Sequence, residues 1–427
     1  SCYMKFPLLL FALVFNIVHT APHEEFALRT LTDHPEASCL DGSPYAFYKF
    51  KSRTISNNKK WLIYFEGGAW CFGENSCRGR SLTDLGSSLN YPEALPRNAT
   101  SGGNYFLSTN CEMSPFCDFN VAILKYCDGA SFTGDGTFKE LQFKGFQNLQ
   151  AALTDLKIND NLDEAVEVVL SGGSAGGMSA YLHADFVHEN LLSTNPALDK
   201  YAVIPVSGFF LDRENVYKKH IFGQAMKDLF HMANSTGGVP KNCRAQFEDP
   251  SDCMLPQNSY ASIESQIFVI DSTLDSFSIP CIMTTELTED GALSCGGTKG
   301  WENCSALWLY DLDQHCTQDQ IYSLTEWQGS FMRYISESGE TFKRNGNGAF
   351  LHQCYTHVAA NFPSWTGFTL PNDMTKLDGK RTSMRDAVMA WYKGNVGETV
   401  RTTVEPMIFR DALWGLDGVI TNPTCTY

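Results

Sequence analysis

The sequence predicts an α/β fold in which a mostly parallel central sheet carries helices on both faces, with disulfide-stapled insertions. Three observations lead there: apolar runs of strand length that do not alternate, helical-period segments between them, and 15 cysteines. Strands covered on both faces read as continuous apolar runs. Their alternation with helices argues a parallel sheet, since parallel neighbours need a crossover connection.

Trp61–Glu66 is the first such run, opening into Gly67-Gly68, a buried strand entering a tight loop. Phe119–Tyr126 repeats the pattern and ends in Cys127-Asp128-Gly129. Phe146, Leu149, Ala152, Leu153 and Leu156 share one helical face, which predicts a helix from Gly145 to Leu156. Ala165–Leu170 is a third strand, and Met178–Glu189 has helical length and pattern. Tyr201–Val206 and Gln266–Ile270 add two more strands, and Ala349–Leu351, after the turn Asn345–Gly348, reads as the last. The stretch from Pro240 to Thr317 holds six cysteines and many turn residues, and reads as a disulfide-stapled excursion. With no repeat or linker in sight, residues 22–427 are expected to form one domain.

Lys5 followed by the apolar run Phe6–Val18 and the small residues Thr20 and Ala21 describes a secretory signal peptide over residues 1–21. Ser1-Cys2-Tyr3 precede Met4 and read as a cloning or translation artefact. The run is shorter than the roughly 20 residues of a membrane span, and no later segment suggests a membrane anchor. Setting Cys2 aside leaves 14 of the 15 cysteines, an even number with no Cys-x-x-Cys spacing. Outside the cell the default is therefore disulfides, up to seven, rather than zinc or redox sites. Asn98, Asn234 and Asn303 begin glycosylation triplets and are expected on the surface. A net charge of −16 excludes a non-specific grip on nucleic acid. The oligomeric state is not encoded legibly.

Gly172-Gly173-Ser174-Ala175-Gly176 fits the nucleophile elbow of the α/β-hydrolase fold, with a strand before it and a helix after it. The serine must ride a strained strand-to-helix turn, where side chains two residues either side would strike neighbouring backbone. Ser174 is the expected nucleophile, and a serine needs a base and an acid that orients the base. In this fold the order is serine, acid, histidine. Asp271 and Asp275 both follow the strand at 266–270, and spacing does not separate them. Among the downstream histidines His315 reads as a surface residue, leaving His352 and His357. His183 and His188 read as ordinary helix residues. Oxyanion donors are expected from the Ala175 N–H and the Gly67-Gly68-Ala69 loop. Neither metal nor cofactor is called for.

Three segments, Trp61–Cys71, Lys125–Asp135 and Gly172–Gly177, resemble the pectin acetylesterase family, which also contains the animal Wnt deacylase Notum. Ser207–Asp212, Cys243–Cys253, Asp271–Ser276, Cys354–His357 and Asn422–Cys425 are similar as well, in family order. The resemblance implies a secreted serine carboxylesterase without a cofactor, with Ser174, Asp275 and His357 as triad. It implies Gly68, Ala69 and Ala175 as oxyanion donors, and Trp70 at the substrate. The chain departs from the family pattern at Val358, at Val206 and over Leu416–Ile420, where a cysteine, an aspartate and a cysteine are usual. The first and third departures would together remove one disulfide.

The loop after Gly68 is closer to the plant members, so the expected substrate is an O-acetylated carbohydrate, pectin or another glycan. The charge of −16 makes unesterified, polyanionic pectin the least comfortable of these. A Notum-like removal of a fatty acyl group from a secreted protein is the alternative enzyme. A non-catalytic binding protein on a hydrolase fold is the alternative from another class.

Overall fold

The computed structural model describes residues 25–52, 58–100, 102–287, 293–295, 299–304, 315–337, 340–371, 381–396, 406–411 and 424–425. The expected signal peptide and the departure at Leu416–Ile420 lie outside them.

A ten-stranded sheet organises the chain. Its strands are β1 (Glu25–Thr30), β2 (Ala46–Phe50), β3 (Lys60–Phe65), β4 (Ala94–Pro96), β5 (Asn120–Leu124), β6 (Glu167–Gly173), β7 (Lys200–Val206), β8 (Phe268–Ser272), β9 (Gly348–His352) and β10 (Met407–Arg410). They lie side by side in the order β10-β9-β8-β7-β6-β3-β5-β2-β1-β4. From β10 to β5 every pairing is parallel; β2, β1 and β4 complete the other edge antiparallel. The continuous apolar runs have the expected cause. Trp61, Ile63 and Phe65 face one hydrophobic layer, while Leu62 and Tyr64 face the other.

One layer is covered by α1 (Gly73–Ser81) through Cys77, α2 (Gly145–Asp160), α3 (Ala175–Leu182), α4 (Ala184–Leu192), α5 (Ile221–Ala233) and α6 (Gln318–Glu337). The other holds α7 (Met384–Asn395) through Met384, Ala387, Val388 and Trp391. Helix α2 runs past the predicted end at Leu156, because the buried Asp160 carboxylate is held by Lys49 of β2 at 2.7 Å and by Lys51 at 2.9 Å. It stops at Asn161, left-handed at φ 60°, whose N–H caps the Leu156 carbonyl. The helix expected over Met178–Glu189 is two, α3 and α4, meeting at His183, whose ring is buried against Phe65, Phe146 and Phe186.

Seven disulfides join all 14 cysteines after Cys2: 39–127, 71–77, 111–117, 243–253, 281–295, 304–316 and 354–425. Three of them staple the stretch from Pro240 to Thr317, although β8 within it belongs to the central sheet. Asn98, Asn234 and Asn303 are exposed. Among the described residues no helix is long and apolar enough to cross a membrane.

Candidate active site

Parallel strands deliver their C-terminal ends to one edge of the sheet, where α/β folds build sites. Here the register does the aligning: Phe65 pairs with Gly172, Gly173 with Val206, Val206 with Ile270, and Ser272 with His352. The loops carrying Gly67–Ala69, Ser174, Ser207, Asp275 and His357 therefore leave the sheet side by side.

Ser174 has φ 60° and ψ −127°, a left-handed-side conformation that a non-glycine residue holds only under constraint. The constraint is visible. The Ser174 N–H donates to the Val206 carbonyl at 3.0 Å, and α3 begins at Ala175. A Cβ on Gly172 would lie 2.3 Å from the Gly176 carbonyl oxygen, and one on Gly176 would lie 2.2 Å from the Phe65 oxygen. Both glycines are there because backbone packs on backbone. As the first residue of α3, Ala175 has no intrahelical acceptor for its N–H.

Asp275 and His357 are brought together. His357 Nδ1 lies 2.6 Å from Asp275 Oδ2, and the other carboxylate oxygen accepts the N–H groups of Phe277 at 3.0 Å and Ser278 at 2.8 Å. His357 Nε2 is buried and has no hydrogen-bond partner among the described residues. Asp271 is turned elsewhere: it accepts the N–H of Phe209 at 3.0 Å and of Ser272 at 2.8 Å. Burial, reinforced by the nearby Asp275, holds the Asp271 carboxyl well above the usual carboxylate range. His352 is buried in β9, with Nδ1 accepting the Cys354 N–H at 3.3 Å, and burial pushes it down to about 3. His315 is exposed.

The loop after β3 lies against the elbow, a Cβ on Gly67 falling 2.9 Å from Ser174 Cβ. Gly68 and Ala69 follow with φ 148° and 54°. Trp70 is 6% exposed and donates from Nε1 to Ser131 Oγ at 2.8 Å. Its ring packs against Phe72, Phe210, Phe222 and Phe277, so it supports an aromatic cluster rather than standing free. Phe277 stacks on His357 at 5.6 Å and Phe210 approaches it at 6.4 Å.

Phe277 was not singled out by sequence reasoning, and Ser207 and Phe210, though inside the similar segment Ser207–Asp212, were given no role by it. Their signal was position, since each lies within a few residues of a parallel strand's C-terminal end. Val358, one of the departures, has φ 50° and donates its N–H to Ser207 Oγ at 2.9 Å. Val206, another, is buried in the core.

The arrangement can hold an imidazole in one tautomer and offers backbone N–H groups beside a constrained serine. The family model described as Pectinacetylesterase matches residues 20–407. Pectin acetylesterase 5 of Arabidopsis thaliana is 28% identical over 367 residues, covering 83% of this chain and 77% of its own. Pectin acetylesterase 7 of the same plant is 28% identical over 363 residues, 84% of each chain. The palmitoleoyl-protein carboxylesterase NOTUM of Schmidtea mediterranea is 29% identical over 373 residues, spanning 84% of this chain and 62% of its own.

Proposed function

The chain belongs to the pectin acetylesterase family, and from that premise we propose that it is a secreted serine carboxylesterase that removes O-acetyl groups from a carbohydrate. The observation that carries the reading is the His357–Asp275 contact at 2.6 Å, with His357 Nε2, on the side away from the carboxylate, buried and without a partner among the described residues. An imidazole held by its Nδ1–H presents Nε2 as a base.

In the proposed reaction Ser174 Oγ attacks the ester carbonyl carbon while His357 Nε2 takes the hydroxyl proton. Gly68, Ala69 and Ala175 donate their N–H groups to the oxygen that becomes negative. Collapse of the tetrahedral intermediate expels the alcohol, which leaves with the proton from His357. Water then attacks the acyl-Ser174 ester, again losing its proton to His357, and acetate and free serine result. Asp275 keeps the imidazole in the required tautomer and balances its charge while protonated. Trp70 is the support on which Phe210 and Phe277 form the wall beside the reacting acyl group.

Secretion is supported by the seven disulfides and by the exposed asparagines Asn98, Asn234 and Asn303 that begin glycosylation triplets. Among acetylated glycans, a neutral one or highly esterified pectin suits a chain of net charge −16 better than free polygalacturonate does. The test is hydrolysis of p-nitrophenyl acetate, butyrate and octanoate by the protein and its Ser174→Ala variant. Turnover that is fastest on acetate and lost in the variant is expected. A preference for octanoate would transfer the reading to a lipid deacylase, and equal rates for both proteins would remove it.

A further inference from the structure

The segment 126–132 follows β5, and the reaction above uses none of its side chains. It is a bracket between the two halves of the oxyanion site. Ser131 Oγ accepts the Trp70 indole N–H at 2.8 Å and donates to the Ala175 carbonyl at 3.0 Å. The Ser131 N–H donates to Tyr126 Oη at 3.1 Å, and the Cys71 N–H donates to the Gly129 carbonyl at 3.4 Å. Loop 68–71 and helix α3 are thus tied together through one segment.

Against the Tyr126 ring lies a guanidinium, that of Arg80, with its central carbon 4.9 Å from the ring centroid. Arg80 Nη1 donates to the Gly68 carbonyl at 2.8 Å, and Nε donates to the Leu85 carbonyl at 3.0 Å. The hold on Gly68 has a geometric consequence. In a trans peptide the C=O and the following N–H point in opposite directions, and the described chain has no cis peptide bond. Fixing the Gly68 oxygen on Arg80 therefore fixes the Ala69 N–H to point away from Arg80. The loop needs such a hold, because Gly68 at φ 148° and Ala69 at φ 54° are consecutive residues outside the ordinary regions. A cation on the carbonyl also polarises the peptide and makes its N–H a stronger donor.

We propose that Arg80 is the positioning residue of the oxyanion loop: stacked on Tyr126 and bonded to the Gly68 carbonyl, it aims the Ala69 N–H at the oxygen of the ester carbonyl, while Ser131 ties that loop to Ala175. The inference rests on the serine-esterase reading. Arg80 does not touch substrate; its effect reaches the reaction through one peptide unit.

The test compares the protein with Arg80→Gln, Arg80→Lys, Ser131→Ala and Ser174→Ala. The readouts are kcat and KM on p-nitrophenyl acetate and the affinity for a trifluoromethyl ketone, which adds to the serine as a tetrahedral adduct. Active sites are counted by fluorophosphonate titration, so that kcat refers to folded enzyme. Arg80→Gln is expected to lower kcat about 100-fold with KM within about 3-fold, and to weaken the ketone in proportion to kcat/KM. Arg80→Lys should restore about 10-fold of that loss, since an ammonium reaches one carbonyl where the guanidinium reaches two. Ser131→Ala should show the same signature at about 10-fold.

Arg80 and Ser131 variants with kcat per active site within about 3-fold of the parent, in a protein that depends on Ser174, would overturn the proposal and leave the esterase reading intact. A loss of active sites at unchanged kcat per site would equally overturn it, leaving Arg80 a staple. A protein indifferent to Ser174→Ala would overturn both.

Discussion

His357 Nδ1 and Asp275 Oδ2 are 2.6 Å apart across 82 residues of sequence, joining the loops that follow two neighbouring strands, β8 and β9. Asp275 is fixed by its other oxygen, which accepts two backbone N–H groups, so its replacement has a defined consequence. In Asp275→Asn the amide oxygen would keep those two bonds and the NH2 would face the imidazole. The ring would then have to accept at Nδ1 and carry its proton on Nε2, where it cannot take one from Ser174. We expect kcat to fall on the order of 10³- to 10⁴-fold with little change in KM. Asp271→Asn, one turn of chain away and bonded to Phe209 and Ser272 instead, should cost far less in kcat. Comparable losses for the two variants would contradict the assignment.

Buried His352 gives a signed pH dependence of stability. Its folded pKa, pushed down to about 3 by burial, lies below the unfolded value, so the unfolded chain binds the extra proton as the pH drops. Stability associated with this residue is complete above pH ~6.5 and is lost progressively as pH falls from there toward the folded value. His183, pushed down to about 4 by burial, acts in the same direction. Asp128 acts in the opposite one: its carboxyl is raised to about 6 by burial, so its contribution declines as pH rises from its unfolded value through 6. The single variant His352→Asn removes this residue's titration alone, since the amide oxygen can accept the Cys354 N–H as Nδ1 does. Relative to the parent it should gain on the order of 2 kcal/mol in unfolding free energy between pH 7 and pH ~4.5, measured by denaturant titration. A difference independent of pH would refute the buried, neutral state of His352.

Cys354–Cys425 anchors the strand-to-histidine loop, three residues before His357, to the end of the described chain. The closed loop spans 71 residues, for which the chain-entropy model gives roughly 4 kcal/mol. Cys425→Ser should therefore destabilise by about 2–4 kcal/mol and lower kcat more than KM, because the base rather than the binding surface loses its support. A variant as stable as the parent would show that the disulfide does not restrain this loop.

The sheet and the elbow were legible in the sequence because each is written locally. Strands buried on both faces show as unbroken apolar runs, and Gly172 and Gly176 mark where backbone packs on backbone. What stayed hidden depends on partners distant in the chain. The strand Glu25–Thr30 is half-exposed and carries no unbroken apolar run, so it is not marked as a strand until β2 and β4 pair with it on either side. Helix α6 has Ile321, Leu324, Phe331 and Ile335 on its buried side, but Gly329 and several polar residues dilute the period, and it follows a cysteine-rich stretch read as irregular. The break at His183 answers to the aromatic rings around it rather than to any local stop signal.

The candidate site divides the same way. Ser174 was marked by its motif, whereas spacing left Asp271 and Asp275 level and the resemblance alone favoured Asp275; the fold turns one toward His357 and the other toward Phe209. Arg80 carried no signal at all. Its link to Gly68 crosses 12 residues and a helix, and an arginine at a helix end looks like any other.

The proposed role of Ser174 as nucleophile is tested most directly by fluorophosphonate labelling followed by peptide mapping. The expected result is a single phosphonyl group on Ser174, activity lost in step with labelling, and no incorporation in Ser174→Ala. Loss of activity with the label on another residue, or full activity in protein labelled at Ser174, would contradict it.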